Sequence, residues 1–167
     1  MEHGMTKRTF VGAAAAALGG LFVSGCSRGE ADGAEPGETF EVVKSDEEWR
    51  RDLSPEQYRV LRTAGTERSG SSPLDKEKRK GVFACAGCDL PVYRSEDKFD
   101  SGTGWPSFTA PIEGAVRTKS DNSLFTTRTE VHCRRCGGHL GHVFDDGPAP
   151  TFERYCMNGV AMNFIPA

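Results

Sequence analysis

The chain has 167 residues, which is enough for one domain with a hydrophobic core and too short for two full domains. Its formal net charge of −3 creates no positive field that would attract nucleic acid, and we expect no nucleic-acid partner. The 20 glycines, together with the lack of any internal repeat, favour a turn-rich, mainly β domain over a helical bundle.

The first 26 residues (1–26) have the order of an export signal. Lys7 and Arg8 precede the uncharged residues 10–23, which as a helix would span about 21 Å, less than the roughly 30 Å core of a bilayer. Residues 23–26, Val-Ser-Gly-Cys, resemble a bacterial lipobox, in which the cysteine is acylated. We therefore expect an exported, periplasmic or otherwise extracytoplasmic lipoprotein, anchored to the membrane through Cys26. Lys7 stands where a twin-arginine signal has its first arginine, so the export route stays open, and a buried alanine-rich helix is the alternative interpretation.

Two short helices are predicted after the signal. Residues 27–44 are expected to form a flexible tether, because their first part is rich in Gly, Glu, Ala and Pro without an apolar period, and the folded domain is assigned to residues 45–167. Ser45 and Ser54 each begin a capping box, with Glu or Gln three residues later. Gly65 is expected to end the second helix.

Short strand-like runs broken by Gly, Pro and Asp follow. They predict strands at residues 81–85, 91–94, 124–133 and 154–164. Since no β and α units alternate, the sequence predicts antiparallel β-sheets with short N-terminal helices.

Four cysteines form two C-x-x-C pairs, Cys85 with Cys88 and Cys133 with Cys136. Each pair offers two thiolates from one tight turn, which together match the four ligands of a structural zinc ion that would staple distant strands. Disulfide bonds are the competing interpretation, because an exported protein permits them. A redox-active C-x-x-C motif is a third, although the surrounding β-α-β pattern is missing.

Cys156 is left without a partner once the lipobox cysteine and the two pairs are set aside. In an extended strand it shares one face with Arg154 and Asn158. The arginine favours a thiolate, and both neighbours are candidate substrate-binding residues. A buried thiol with no chemical role is the alternative.

Two further groups carry candidate chemistry. His139 and His142 can exchange protons with a thiol near neutral pH, although solvated loop histidines or metal ligands are alternatives. Trp105 follows two glycines and precedes a proline, so it could present its ring in a pocket or simply lie in the core.

Together these segments resemble the B-type methionine sulfoxide reductases, which act on the R epimer at sulfur. The resemblance runs from about Leu53 to Phe164. It rests on the segments LSPEQYRV, GTERSG, CAGC, KFDSGTGWPSF, RTEVHCRRCGGHLGHVFDDGP and RYCMN.

The resemblance implies antiparallel β-sheets around the active site and a structural zinc ion (Zn2+) held by the four paired cysteines. It also implies that Cys156 is the nucleophile, that His139 and His142 bind the sulfoxide oxygen, that Trp105 receives the S-methyl group and that Asn158 contacts substrate or thiolate. Oxidised proteins or peptides are then the substrates.

One departure from the family concerns regeneration. Many members have a resolving cysteine where this chain has Thr103, so an external thiol reductant, thioredoxin-like or small, is expected instead. Two other functions fit parts of the sequence: a zinc-knuckle binding module, and a structural lipoprotein with disulfide-bonded cysteines. Neither uses Cys156 and the histidine pair.

Overall fold

The structure is a computed structural model of the chain and describes residues 38–123 and 126–167. The predicted export signal with Cys26, and residues 27–37 of the predicted tether, lie outside the described residues. Within the described ranges, no helix is long and apolar enough to cross a bilayer.

Both predicted helices are present, as α1 (Asp46–Asp52) and α2 (Pro55–Thr63). Each begins with the predicted capping box. The serine side chain accepts a hydrogen bond from the backbone N–H three residues later, and the Glu or Gln side chain there accepts one from the serine N–H. The end of α2 differs slightly from the prediction, because Ala64 takes the left-handed conformation (φ 51°) one residue before Gly65.

Nine antiparallel strands form two sheets, which confirms the predicted mainly β fold. The smaller sheet has the order β2-β1-β9, and the larger has the order β3-β4-β8-β7-β6-β5. The strands are β1 (Gly81–Cys85), β2 (Pro91–Arg94), β3 (Lys98–Phe99), β4 (Ser107–Phe108), β5 (Val116–Asp121), β6 (Arg128–Cys133), β7 (His139–Phe144), β8 (Arg154–Met157) and β9 (Met162–Pro166).

Two predicted strand boundaries change. The strand expected at residues 124–133 begins at Arg128, and residues 124 and 125 lie outside the described part. The strand expected at residues 154–164 is divided by a 3₁₀ turn, so β8 joins the large sheet and β9 the small one. The turn is stabilised by the Glu67 carboxylate, which accepts bonds from two backbone N–H groups, at residues 159 and 160.

An aromatic cluster joins the two sheets. Tyr93 stacks on Phe108 with ring centroids 4.3 Å apart, and Phe83 meets Phe108 edge-on at 5.0 Å. The Tyr93 hydroxyl donates to the Met157 sulfur at 3.0 Å. Because Met157 and Tyr155 face this core, the alternation of β8 turns the side chain between them to the opposite face.

Residues 38–44 belong with the folded domain rather than with a flexible tether. The Val42 N–H donates to a backbone carbonyl in the second C-x-x-C turn at 3.0 Å. Glu38 lies 3.1 Å from Nε2 of the buried His132 and 3.0 Å from the Arg117 guanidinium. Composition did not reveal these contacts, because they depend on Arg117 of β5 and His132 of β6, which are about 80 to 95 residues away in the chain.

Candidate active site

A small cavity of about 150 Å³ opens beside β7 and β8. Its walls come from the loop after α2, the loop before β4 and three strands of the large sheet. The lining residues are Thr66, Trp105, Arg128, Gly141, His142, Phe144, Cys156, Met157 and Asn158.

Cys156 lies at the middle of this wall. In the sheet it is directly opposite Ser107 on β4 and His142 on β7, and it forms no disulfide. Burial raises the pKa of the Cys156 thiol, while the charge of Arg154 and the hydroxyls of Thr103 and Ser107 oppose that rise. The sequence-based assignment of Cys156 to a site face, with Tyr155 and Met157 on the other, matches the structure.

His142 is held by a carboxylate that the sequence analysis did not identify. Its Nε2 lies 2.7 Å from Oδ2 of Asp121, which also accepts from the Arg128 guanidinium at 2.6 Å. Hydrogen bonds from Ser123, His142 and Arg128 keep the pKa of Asp121 well below its usual range despite partial burial. Because an ionised carboxylate only accepts, Nε2 of His142 carries a hydrogen and Nδ1 of the neutral ring is the acceptor.

Burial also affects the imidazole itself. It lowers the pKa of His142, and the Asp121 hydrogen bond only partly offsets this. The resting pair at neutral pH is therefore a thiol on Cys156 beside a neutral His142. The two residues occupy paired positions of neighbouring strands, which suits a reaction that needs a thiolate and a proton donor together.

His139 stands behind His142 and does not line the cavity. The two rings are 5.3 Å apart in an edge-on arrangement. Nδ1 of His139 lies 3.0 Å from Oε1 of Glu130, and Nε2 has no hydrogen-bond partner among the residues described. The predicted pair is thus brought together, but only His142 reaches the cavity wall.

Trp105 and Asn158 are both fixed by Glu67. The Trp105 indole N–H donates to the Glu67 carbonyl at 3.1 Å, and the Glu67 N–H donates to Asn158 Oδ1 at 2.9 Å. The Asn158 amide N–H donates to the Leu140 carbonyl at 3.1 Å. Both predicted residues line the cavity, but the polar atoms of Asn158 hold backbone, so its main contribution is to position the wall.

Arg154 does not line the cavity. Its guanidinium donates to both carboxylate oxygens of Asp146, at 2.7 and 2.8 Å, and lies 4.5 Å above the Phe144 ring. Its positive charge still acts on Cys156 from the neighbouring position of β8. Arg154 therefore acts on the thiol through its charge, while its own guanidinium is paired with Asp146.

Three contributors were not identified from the sequence. Arg128 had a signal, because period-two alternation in β6 gives Arg128, Glu130 and His132 one polar face. Asp121 had none, since it reaches the site only through its pairing with Arg128 across the β5–β6 hairpin. Glu67 lies in a loop, and its role depends on contacts more than 30 residues away.

The two C-x-x-C pairs meet at one point away from the cavity. The four sulfur atoms all lie within 4.8 Å of one another, with Cys85–Cys136 at 3.7 Å and Cys88–Cys133 at 3.5 Å. A disulfide needs about 2.05 Å, whereas sulfurs about 2.3 Å from one tetrahedral ion are separated by roughly 3.8 Å. These four cysteines are therefore placed to bind a metal ion.

The electrostatics of the cluster agree with this. Hydrogen bonds from Cys136, and then from Cys85 and Cys88, hold the pKa of Cys133 well below its usual range. The cluster can thus supply at least one thiolate without an added base, and metal ligation requires thiolates.

A cysteine thiol in a small cavity, with an imidazole–carboxylate pair opposite it and a separate four-cysteine site, is an arrangement typical of enzymes that use cysteine chemistry. A family model described as the SelR domain matches residues 53–166. The peptide methionine sulfoxide reductase MsrB of Methanosarcina barkeri is 57% identical over 124 residues, which cover 74% of this chain and 87% of that protein. That of Leifsonia xyli is 54% identical over 129 residues, covering 76% and 93%. That of Leptospira interrogans is 49% identical over 126 residues, covering 75% and 96%.

The chain belongs to the SelR-domain family of MsrB-type methionine sulfoxide reductases, enzymes that reduce methionine sulfoxide in proteins. A solved structure described as the Mis18 "Yippee-like" domain aligns with a TM-score of 0.42 and 19% identity, over 53% of this chain and 98% of that one. That likeness is too distant to support any argument about this protein.

We expect about one metal ion per chain, held by the four clustered cysteines. Cys136→Ser should remove the ion and either unfold the domain or lower its melting temperature by roughly 10 °C or more, because the binding energy of such a site is folding energy. Elemental analysis and thermal melting of the purified protein measure both. Cys156→Ser is the matched control and should keep the metal. Full metal content in the Cys136 variant would contradict the assignment.

Proposed function

We propose that this protein reduces methionine-R-sulfoxide in oxidised proteins and peptides, with Cys156 as the nucleophile. The observation that carries the proposal is the position of Cys156 in a cavity of about 150 Å³. His142, its partner on the adjacent strand, and Trp105 line the same cavity. That cavity has room for a methylsulfinyl group, while the backbone of a peptide stays outside.

The shape of the cavity supports a choice of epimer. The methyl group packs on the Trp105 ring, the oxygen points to His142 and Arg128, and the remaining carbon leads out to the peptide. The three substituents on the sulfur then have three different environments. Only one configuration at sulfur places each substituent in its own environment while the sulfur faces Cys156. The R hand follows from the resemblance to the family.

The chemistry uses the proton shared by Cys156 and His142. His142 takes the thiol proton, becomes an imidazolium stabilised by Asp121, and gives that proton to the sulfoxide oxygen as the thiolate attacks sulfur. The protonated oxygen then moves to the Cys156 sulfur as its bond to the substrate sulfur and the new S–S bond both break, so one thiol and one sulfoxide become one sulfenic acid and one thioether. Arg128 supports the oxygen as its negative charge grows.

Regeneration then requires a thiol from outside the domain. Thr103 stands near Cys156, and the other described cysteines form the metal cluster. An external thiol attacks the sulfenic acid and releases water, leaving a mixed disulfide. A second external thiol breaks that disulfide and restores Cys156.

We further propose that the metal is zinc with a structural role. Four thiolates with no open position suit a tetrahedral Zn2+ ion, and the cluster ties β1 to the end of β6. All four ligand positions are protein sulfurs, so the ion supplies folding energy and not catalysis.

The decisive experiment offers the protein racemic dabsyl-methionine sulfoxide with excess dithiothreitol. Turnover should stop when about half of the racemate is consumed, because one epimer fits the cavity. Cys156→Ser should abolish turnover while keeping the metal, since serine is a far weaker nucleophile. His142→Ala should reduce the rate by about 100- to 10,000-fold. A metal-loaded, folded protein with no turnover would favour a zinc-knuckle binding module instead.

The pH dependence of turnover should form a broad plateau. The reactive pair holds one proton, so activity falls as pH drops through the pKa of His142, lowered from 6.5, because both groups are then protonated. Activity also falls as pH rises through the pKa of Cys156, raised from 9.0, because the proton is then lost. Asp121→Asn removes the negative charge that raises the pKa of His142 and should move the acid limb to lower pH.

The control for that shift is Asp52→Asn, an exposed carboxylate on α1 paired with Lys44. Its profile should coincide with that of the unaltered enzyme in kcat/KM measured across the pH range. An acid limb that stays in place in the Asp121 variant would argue against His142 as the proton carrier.

We also propose that the protein works outside the cytoplasm, anchored by a lipid on Cys26. The order of basic, apolar and small residues in the first 26 residues supports this. Cys26→Ala should release the protein from the membrane fraction or block processing of its signal, as judged by fractionation and mass spectrometry, whereas Cys156→Ser should remain at the membrane. Unchanged membrane association of the Cys26 variant would point to an uncleaved helix.

A further inference from the structure

A chain of three hydroxyl groups leads to the Cys156 sulfur. The Ser101 hydroxyl lies 2.8 Å from that of Thr103 and 2.8 Å from that of Ser107. Ser107 is the β4 residue directly opposite Cys156, and Ser101 links its hydroxyl to that of Thr103. The hydroxyls of both Thr103 and Ser107 lower the pKa of the Cys156 thiol. Two hydroxyls joined by a third thus flank the nucleophile.

The loop that carries Thr103 is held in place by two hydrogen bonds. The Ser69 hydroxyl donates to the Thr103 carbonyl at 2.7 Å, and the Gly70 N–H donates to the Gly104 carbonyl at 2.7 Å. Gly104 has φ +82°, and a Cβ there would come within 2.2 Å of Ser69 Oγ. The loop that presents Thr103 is therefore clamped at a close approach that only glycine allows.

The three linked hydroxyl groups can donate in either direction, depending on whether the thiol is protonated. With a neutral thiol, Cys156 can donate to Thr103, Thr103 to Ser101, Ser101 to Ser107, and Ser107 to the Trp105 carbonyl at 3.2 Å. Once the thiol loses its proton it can only accept, and the hydroxyls rotate. Thr103 then donates to the sulfur and Ser101 donates to Thr103, so each proton still has an acceptor.

Few charged groups surround Cys156 and compete with this effect. On its own strand the neighbour is Arg154, paired with Asp146. From β7 it faces His142, which is bound to Asp121 at the end of β5, and from β6 the cavity includes Arg128. Among the described residues of β4 and the loop before it, the groups that act on the thiol are the hydroxyls of Thr103 and Ser107.

We propose that Thr103 is a catalytic hydrogen-bond donor to the Cys156 thiolate, oriented by Ser101 and assisted by Ser107. The inference rests on the proposed reductase function and deepens it. The position that holds a second thiol in many relatives has a different use in this chain, because its hydroxyl prepares the nucleophile instead of resolving the product. A hydrogen bond donated to the thiolate stabilises the ionised form and lowers its pKa without adding a charge.

The test measures how readily Cys156 is alkylated by iodoacetamide as a function of pH, in the full-length protein without substrate. Trypsin cleavage after Arg154 yields the peptide 155–167, in which Cys156 is the single cysteine, so mass spectrometry reports on this thiol alone. Thr103→Val keeps the shape and removes the donor. It should raise the midpoint of alkylation by about one pH unit and slow the reaction about tenfold below that midpoint.

Three variants make the result specific. Thr103→Ser keeps a donor and should stay within about twofold of the unaltered protein. Ser101→Ala breaks the link and should shift the midpoint in the same direction by a smaller amount. Thr118→Val makes the same chemical change at an exposed position of β5 and should leave the profile unchanged.

Turnover gives an independent reading. The Thr103→Val enzyme should lose about tenfold in kcat/KM across the plateau, and its alkaline limb should move to higher pH together with the pKa of Cys156. Equal midpoints for the valine variant and the unaltered protein would overturn the proposal, as would equal shifts for valine and serine. If the unaltered protein reduces no sulfoxide but the valine shift is present, the proposed function fails while the donor role of Thr103 stands.

Discussion

The side-chain alternation of β8 is the constraint on which the site depends. Met157 is fully buried and accepts the Tyr93 hydroxyl, so the strand cannot rotate or slip by one residue without exposing the core. That contact fixes Cys156 on the cavity face, opposite His142 on one side and Ser107 on the other. The aromatic cluster between the two sheets thus determines which way the Cys156 thiol points.

The electrostatics of the cavity follow from the same burial. Removing water disfavours both the thiolate of Cys156 and the imidazolium of His142, so the ion pair needed for reaction is not the resting state. Asp121 beside the imidazole and Arg154 near the thiol each reduce the free-energy cost of forming this ion pair. Because these groups are already hydrogen-bonded in the free enzyme, little reorganisation is required when the proton moves.

The four-cysteine cluster concerns the stability of the domain. Short strands and many loops bury a limited apolar core, and the cluster joins β1 to β6 through thiols that lie far apart in the chain. Phe40, from the segment before α1, packs against Gly137, where an added Cβ would come within 2.7 Å of the Phe40 ring. The segment 38–44 therefore packs against the metal site and extends the folded domain beyond its predicted start at residue 45.

Local patterns in the sequence determined the helices, their capping boxes, most strands, the cysteine pairs and the reactive face of β8, because each depends on spacing along a few residues. Family resemblance extended this to the roles of Trp105 and the two histidines. Only the tertiary structure revealed Asp121 behind His142, Glu67 between Trp105 and Asn158, and the hydroxyls of Ser101 and Thr103 beside the thiol. The tertiary structure also separated His142, in the cavity wall, from His139 behind it, and paired Arg154 with Asp146. These assignments depend on strand register and loop docking over long sequence separations, where composition and periodicity carry no information.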